Sequence, residues 1–253
     1  MNFDLISNLY IDDNSIDPIK VLPKNSGRLI IAGDIVKVNG TENNWEKLIA
    51  LLTICCSNYH QVFYIPGNRE YYTNEKDMTM NNIFLKLKNL EKIFLNLKIL
   101  NNEYIILDRS IVLYGATLWS DVPYRIFPSN LPIYTLNENT ITSNNITHAR
   151  WMRMHYEAIE GLEKAIEVSK KFNYKMIVAT HYAPIVNQAL NPKYHNDIKK
   201  SMYCTDLSRF FHNIDIWMFG HTGWNCDIQE ERIRLISNQY HVNVGIPFKT
   251  SIL

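Results

Sequence analysis

VFYIPGNREYY, Val62 to Tyr72, is an apolar run that stops at a Pro-Gly turn and then presents Asn68, Arg69 and Glu70. Its first half carries the β-branched and aromatic residues of a buried strand, and Pro66-Gly67 ends it. Upstream, RLIIAGD (Arg28–Asp34) follows the same plan and ends at Gly33-Asp34. Between the two lies NNWEKLIALLTICCS (Asn43–Ser57), with apolar residues at helical spacing: Trp45, Leu48, Leu51, Leu52 and Cys55. Strand, helix, strand in that order predicts an α/β fold with parallel pairing, in which functional side chains collect at the C-terminal ends of strands. Asn8, after an apolar strand candidate at Asn2–Ser7, falls at such an end too.

Further along, the spacing of Ile83, Leu87, Leu90 and Phe94 predicts a long amphipathic helix over Lys76–Leu97. EYIILD and IVLYGATLW read as strands. Asp121–Asn145 is rich in Asn, Ser, Thr and Pro without periodicity, the mark of a lid or binding loop. A second long helix is expected over Ile146–Phe172. YKMIVATHYAP and DIWMFGHTGWN are strands running into loops, and RIRLISNQY is a last β segment. No repeat and no linker composition interrupts the 253 residues, so a single domain over 1–253 is expected.

Composition narrows the functional classes. With 46% hydrophobic residues the chain can bury a large core. Its 26 basic and 25 acidic side chains leave a net charge of +1, with no electrostatic footprint for nucleic acid or an anionic membrane. The longest apolar run, Leu48–Cys56, is too short to span a bilayer, and the N-terminus MNFDLISNLY lacks a basic leader. Cys55, Cys56, Cys204 and Cys226 include no CxxC pair, which points to reduced thiols and a soluble, cytoplasmic protein.

Four strand ends deliver polar groups in chain order: Asp34, Asn68, His181 and His221. Oxygen and imidazole donors of this kind suit one Zn, Mn or Fe ion. Singly, a Gly-Asp after a strand is commonly a cap and a lone histidine a hydrogen-bonded structural residue. Their recurrence at four strand ends is what points to a metal centre.

These same residues carry a resemblance. Gly33-Asp34, Gly67-Asn68, His181 and Gly220-His221, with THYAP and GATLWSD in support, resemble the calcineurin-like metallophosphoesterase superfamily over nearly the whole chain. The resemblance implies a four-layer α/β/β/α sandwich of two mixed sheets flanked by helices. It also implies two metal ions over the strand ends. In that pattern an Asp-x-His motif comes first, a Gly-Asn-His-Asp/Glu motif follows and Gly-His-x-His comes last. Here Asn8 and Tyr10 stand at the first motif, Arg69 at the catalytic histidine and Gly223 at the final histidine. Carried over, the set Asp34, Asn68, His181 and His221 for one metal is complete. The other site keeps Asp34 and at most the amide oxygen of Asn8, so a second metal is not expected.

Arg69 has two placements open to it. Turned inward, its guanidinium stands near the vacated metal position and binds phosphate oxygens in a fork, but it cannot give up a proton. Turned outward, it meets solvent or pairs with Glu70 or Asp227. Asp12 and Asp13 read as a solvated turn, or as substitute ligands. His148, His155 and His195 have no evident partner; Tyr124 and Arg125 contact a ligand from above or lie at the surface, and Trp224, Asn225 and Asp227 flank the pocket or pack as strand residues. Asn145 heads an Asn-Ile-Thr triplet that matters only in a secreted protein. Loss of a general acid costs about 10²–10⁴ in rate. The expected function is a degenerate phosphoesterase or pseudoenzyme that binds a phosphorylated small molecule or a protein partner. An active one-metal enzyme and a metal-free scaffold are the alternatives.

Overall fold

The alternation of side chains along each strand sorts the core. The structure, a computed structural model, describes residues 2–13, 22–23, 26–39, 41–136 and 143–240. Strands β1 (Asp4–Ile6), β2 (Arg28–Ile31), β3 (Gln61–Tyr64) and β4 (Leu97–Ile99) pair in that order, all parallel. The second sheet holds β5 (Glu103–Leu107), β6 (Ile111–Ala116), β9 (Lys175–Thr180), β10 (Ile216–Phe219), β11 (Cys226–Glu230) and β12 (Ile233–Ser237). Its order is β11-β12-β10-β9-β6-β5, parallel in the middle and antiparallel at both edges. Ile30, Phe63 and Ile65 from the first sheet meet Leu113, Ile177, Met218 and Ile236 from the second in one apolar layer. Their neighbours Leu29, Ile31, Val62, Tyr64, Val112, Val178 and Trp217 face outward into a second cluster with helical residues. A period of two thus gives the central strands β2, β3, β6, β9 and β10 two buried faces, whereas the edge strands β5 and β11 expose most of theirs.

Helices close the outer faces. α1 (Glu42–Asn58) packs on β3, and α3 (His148–Phe172) packs on β6 and β9, giving the expected α/β/β/α layering. Thr41 and Thr147 cap the first turns by accepting from the N–H groups of Asn44 and Arg150. Asn173, at φ 52°, ends α3 in the left-handed conformation that asparagine tolerates.

The helix predicted over Lys76–Leu97 is shorter. α2 spans Met80–Lys88, capped by Thr79, and a 3₁₀ turn over Asn89–Lys92 follows. Ile93 and Leu95 are exposed, so the apolar face does not continue, and the chain turns to enter β4 at Leu97. The segment Asp121–Asn145 carries a 3₁₀ turn at Tyr124–Ile126 and an antiparallel pair of β7 (Tyr134–Leu136) with β8 (Ser143–Asn145). Residues 137–142 of it lie outside the described residues. Among the described residues no helix is long and apolar enough to cross a membrane, and the four cysteines are unpaired.

Candidate metal centre

Each sheet contributes two strand ends. Asp34 and Asn68 follow β2 and β3, and His181 and His221 follow β9 and β10. The backbones there approach too closely for side chains. Gly33 has φ +80°, and a Cβ on it would stand 2.6 Å from the Gly67 nitrogen. A Cβ on Gly67 would stand 2.5 Å from Asp34 Oδ1. The Gly-Asp and Gly-Asn pairs therefore exist to let two loops touch. Asn8, Tyr10, Asp34 and His221 all have positive φ, a concentration of strained backbone of the kind found at functional sites.

The four donors converge on His181 Nε2, which lies 3.0 Å from Asn68 Oδ1, 3.1 Å from His221 Nδ1 and 3.2 Å from Asp34 Oδ1. The far nitrogen of each ring faces a carbonyl: His181 Nδ1 meets Ala32 O at 2.8 Å, and His221 Nε2 meets Met202 O at 3.1 Å. A carbonyl only accepts, so each far nitrogen carries the hydrogen and each near nitrogen of the neutral ring carries a lone pair. Asn68 is oriented by its amide donating to Tyr72 Oη at 2.8 Å, which leaves its oxygen facing the histidines. Four lone pairs thus point at one another, an arrangement that only a cation or a proton reconciles. Ligand atoms of Asp34, His181 and His221 all lie within 4.8 Å of one another, a spacing that could hold a metal ion. The carbonyl partners orient the rings as outer-shell groups orient metal-binding histidines.

Electrostatics run the same way. Burial pushes the Asp34 carboxyl up, but the charge and hydrogen bond of His181, the charge of His221 and the Arg69 N–H outweigh it and hold it at about 2. Burial and the neighbouring His181 hold the His221 imidazole at about 3. Burial pulls His181 down, yet Asp34 beside it wins and raises its pKa. Without a metal, His181 Nε2 is where a proton substitutes for one.

Glu70 has a role that the sequence reading missed. It is fully buried and accepts from the backbone N–H groups of Asp34 (3.0 Å), Ile35 (2.6 Å) and Gly67 (2.7 Å), and from the Tyr64 hydroxyl (2.8 Å). It ties the loop after β2 to the loop after β3. An apolar run followed by an acid three residues after a Gly is the signal that was present, and it was read only as an option for Arg69.

The other half of the centre is filled by protein. Asn8 Oδ1 accepts from the His221 N–H at 3.0 Å, and Asn8 Nδ2 donates to the Tyr10 hydroxyl at 2.7 Å. That hydroxyl donates in turn to Asp34 Oδ2 at 3.2 Å. Burial and the Asp34 charge raise the Tyr10 pKa far above the ordinary phenol, so it keeps its proton. Arg69 donates to Asp34 Oδ1 through its backbone N–H at 2.9 Å. Its guanidinium forks onto Asp12 with two bonds of 3.0 Å, also pairs with Asp13, and lies 4.8 Å from the centre of the Tyr10 ring. Its partners are therefore neither Glu70 nor Asp227, which is forked by Arg234, and Asp12 and Asp13 are an arginine clamp instead of a free turn. Gly223, at φ +63°, has open space around the position of a Cβ.

The remaining candidates have structural partners. His148, His155 and His195 each face backbone carbonyls, His155 those of Leu118 and Trp119, correcting the expectation that they lack partners. Asn145 donates to Leu131 O, and Asn225 binds the backbone of Gln239. Tyr124 is exposed, 5.4 Å from the His148 ring, and Arg125 and Trp224 are also at the surface.

The sequence model described as calcineurin-like phosphoesterase matches residues 19–224. An uncharacterized protein of Acanthamoeba polyphaga mimivirus is 27% identical over 238 residues, covering 89% of this chain and 82% of that protein. Among solved structures, phosphopantetheinyl hydrolase from Mycobacterium tuberculosis is similar with a TM-score of 0.68 at 13% identity, over 100% of this chain and 95% of that one. GAP50, the anchor in the inner membrane complex of Plasmodium, is similar with a TM-score of 0.56 at 13% identity, over 100% of this chain and 77% of that one. At these identities the solved structures speak to the fold alone.

Proposed function

The chain belongs to the calcineurin-like phosphoesterase family, and from that premise we propose that it holds one divalent metal ion and binds a phosphorylated ligand there. Hydrolysis at this centre falls far below that of a two-metal site. The observation that carries the reading is the convergence of the lone pairs of His181, His221, Asn68 and Asp34, with both rings fixed by carbonyls. A divalent ion at these donors supplies Lewis-acid polarisation of a phosphoryl oxygen and a lowered pKa for a neighbouring water.

The chain's own residues set the limits. Asp34 offers Oδ1 while the Tyr10 hydroxyl takes Oδ2, so the carboxylate does not bridge to a second ion. Tyr10 holds its proton too tightly to act as an acid at neutral pH. Arg69, at the position of the family's catalytic histidine, binds anions but donates no proton to a leaving group. Its Nε and Nη2 serve Asp12 and Asp13, so its charge is already paired with two carboxylates. Without a general acid the rate loss is about 10²–10⁴, before the loss of half the metal clamp is counted.

The test is metal content per chain, measured on protein prepared without chelators and supplemented with Zn, Mn or Fe. About one ion is expected, with none in Asp34→Ala. Two ions overturn the one-metal reading, and none selects a metal-free scaffold for a protein partner.

A further inference from the structure

A cavity of about 380 Å³ opens beside the centre, and Asn68 and His221 line it. Ligand sites in proteins begin at about this size. Most of the rest of its wall is carbon: Tyr72, Trp151, Tyr182 and Tyr203 supply rings, and Ile126, Leu131 and Met202 supply aliphatic surface. Lys199, exposed, is the one lining side chain with a fixed charge among the described residues. We propose that this cavity takes an aromatic ring carried by the phosphorylated ligand, so that the substrate or ligand is a small aryl phosphoester. The proposal rests on the one-metal reading of the centre.

Three observations carry it. A sugar placed against this mostly carbon wall would give up more water than the tyrosine hydroxyls and Lys199 replace. An aromatic ring loses nothing there and gains apolar burial. The rings are also held in advance. Tyr203 is backed by Tyr194, nearly parallel at 14° with centres 5.5 Å apart, and Tyr182 lies 4.0 Å from the His221 ring. Tyr182 is itself buried within the aromatic group of Trp119 and Trp151. A stacking face that does not move on binding costs little ordering entropy. Finally, the cavity is continuous with two of the four proposed metal donors, so a phosphoryl group at the centre directs its substituent into this space.

The experiment is calorimetric titration of the full, manganese-loaded chain with three phosphonates that cannot be hydrolysed: methyl, cyclohexyl and phenyl. Phenylphosphonate is expected to bind about tenfold or more tightly than methylphosphonate, in line with burial of one ring, and more tightly than cyclohexylphosphonate. In Tyr203→Ala, with folding checked by a circular dichroism melt, the phenyl-to-methyl ratio is expected to fall to about threefold or less. Leu131→Ala is expected to lower the same ratio. Equal binding of methyl and phenyl overturns the cavity proposal while leaving the metal reading intact. Parity of cyclohexyl and phenyl overturns the aromatic assignment. Binding of none of the three overturns the reading of the centre, and the cavity proposal with it.

Discussion

At the scale of single residues, the centre is an arrangement of protons. His181 Nε2 can bear a metal or a hydrogen, and the raised pKa that Asp34 produces favours the hydrogen until pH exceeds it. His221, held at about 3, and Asp34, at about 2, are ready to coordinate across the neutral range. Only His181 therefore has a proton to lose. Its folded pKa lies above the ordinary 6.5, so metal affinity is expected to be flat above that raised value and to weaken about tenfold per pH unit below it. Chelator competition from pH 5 to 9 measures this. A profile flat across the whole range contradicts the assignment of His181 as a ligand. Tyr10 illustrates the same chemistry in reverse: burial beside Asp34 keeps its proton on, and the hydroxyl donates it to Asp34 Oδ2.

At the scale of elements, the loops after β2 and β3 form one unit because Glu70 accepts from both. Its pKa is raised by burial and by the Asp34 charge, but all four of its partners are donors, which suits the ionised carboxylate. Glu70→Gln places an amide N–H₂ against N–H or O–H groups in a fully buried site. Each buried group left unpaired costs about 1–3 kcal/mol, so a loss of about 2–4 kcal/mol in urea unfolding is expected. Because Asp34 is placed by this clamp, the variant is also expected to bind less than one ion per chain. Unchanged stability with unchanged metal content would show that the clamp does not set the loop geometry. On the second sheet His155, from α3, does a similar job for Leu118 and Trp119, both at positive φ.

At the scale of the whole molecule, the centre lies where two sheets meet, so its geometry depends on how they pack. Phe63 and Ile30 face Leu113, Ile177 and Met218 across that layer, and Phe3 and Phe63 have ring centres 6.3 Å apart. Phe63→Ala leaves a cavity between the sheets and is expected to cost about 3–5 kcal/mol. It is also expected to weaken metal binding, although Phe63 touches no ligand, because Asp34 and Asn68 sit on one sheet and His181 and His221 on the other. Denaturation followed by tryptophan fluorescence, with a metal titration on the same variant, separates these effects. A loss of stability with full metal affinity would mean that the loops hold the centre independently of the sheets.

How much was legible in sequence follows from the range of each interaction. Strand runs, their polar ends and the layered α/β plan were readable because apolar periodicity and Gly-Asp or Gly-Asn punctuation are local signals. The end of α2 was not, since it depends on which apolar residues find a partner: Leu90 is buried, whereas Ile93 and Leu95 are exposed. Nor were the partners of Arg69 and Glu70. They are adjacent in the chain, yet the turn between them sends Glu70 inward to Asp34, Ile35 and Gly67 and Arg69 outward to Asp12 and Asp13, 57 and 56 residues away. The amino-acid order by itself determined which donors stand at which strand ends. Only the tertiary structure decided that four of them share one point, because that requires two sheets to register at their C-terminal edges and two carbonyls to fix which nitrogen of each ring is bare.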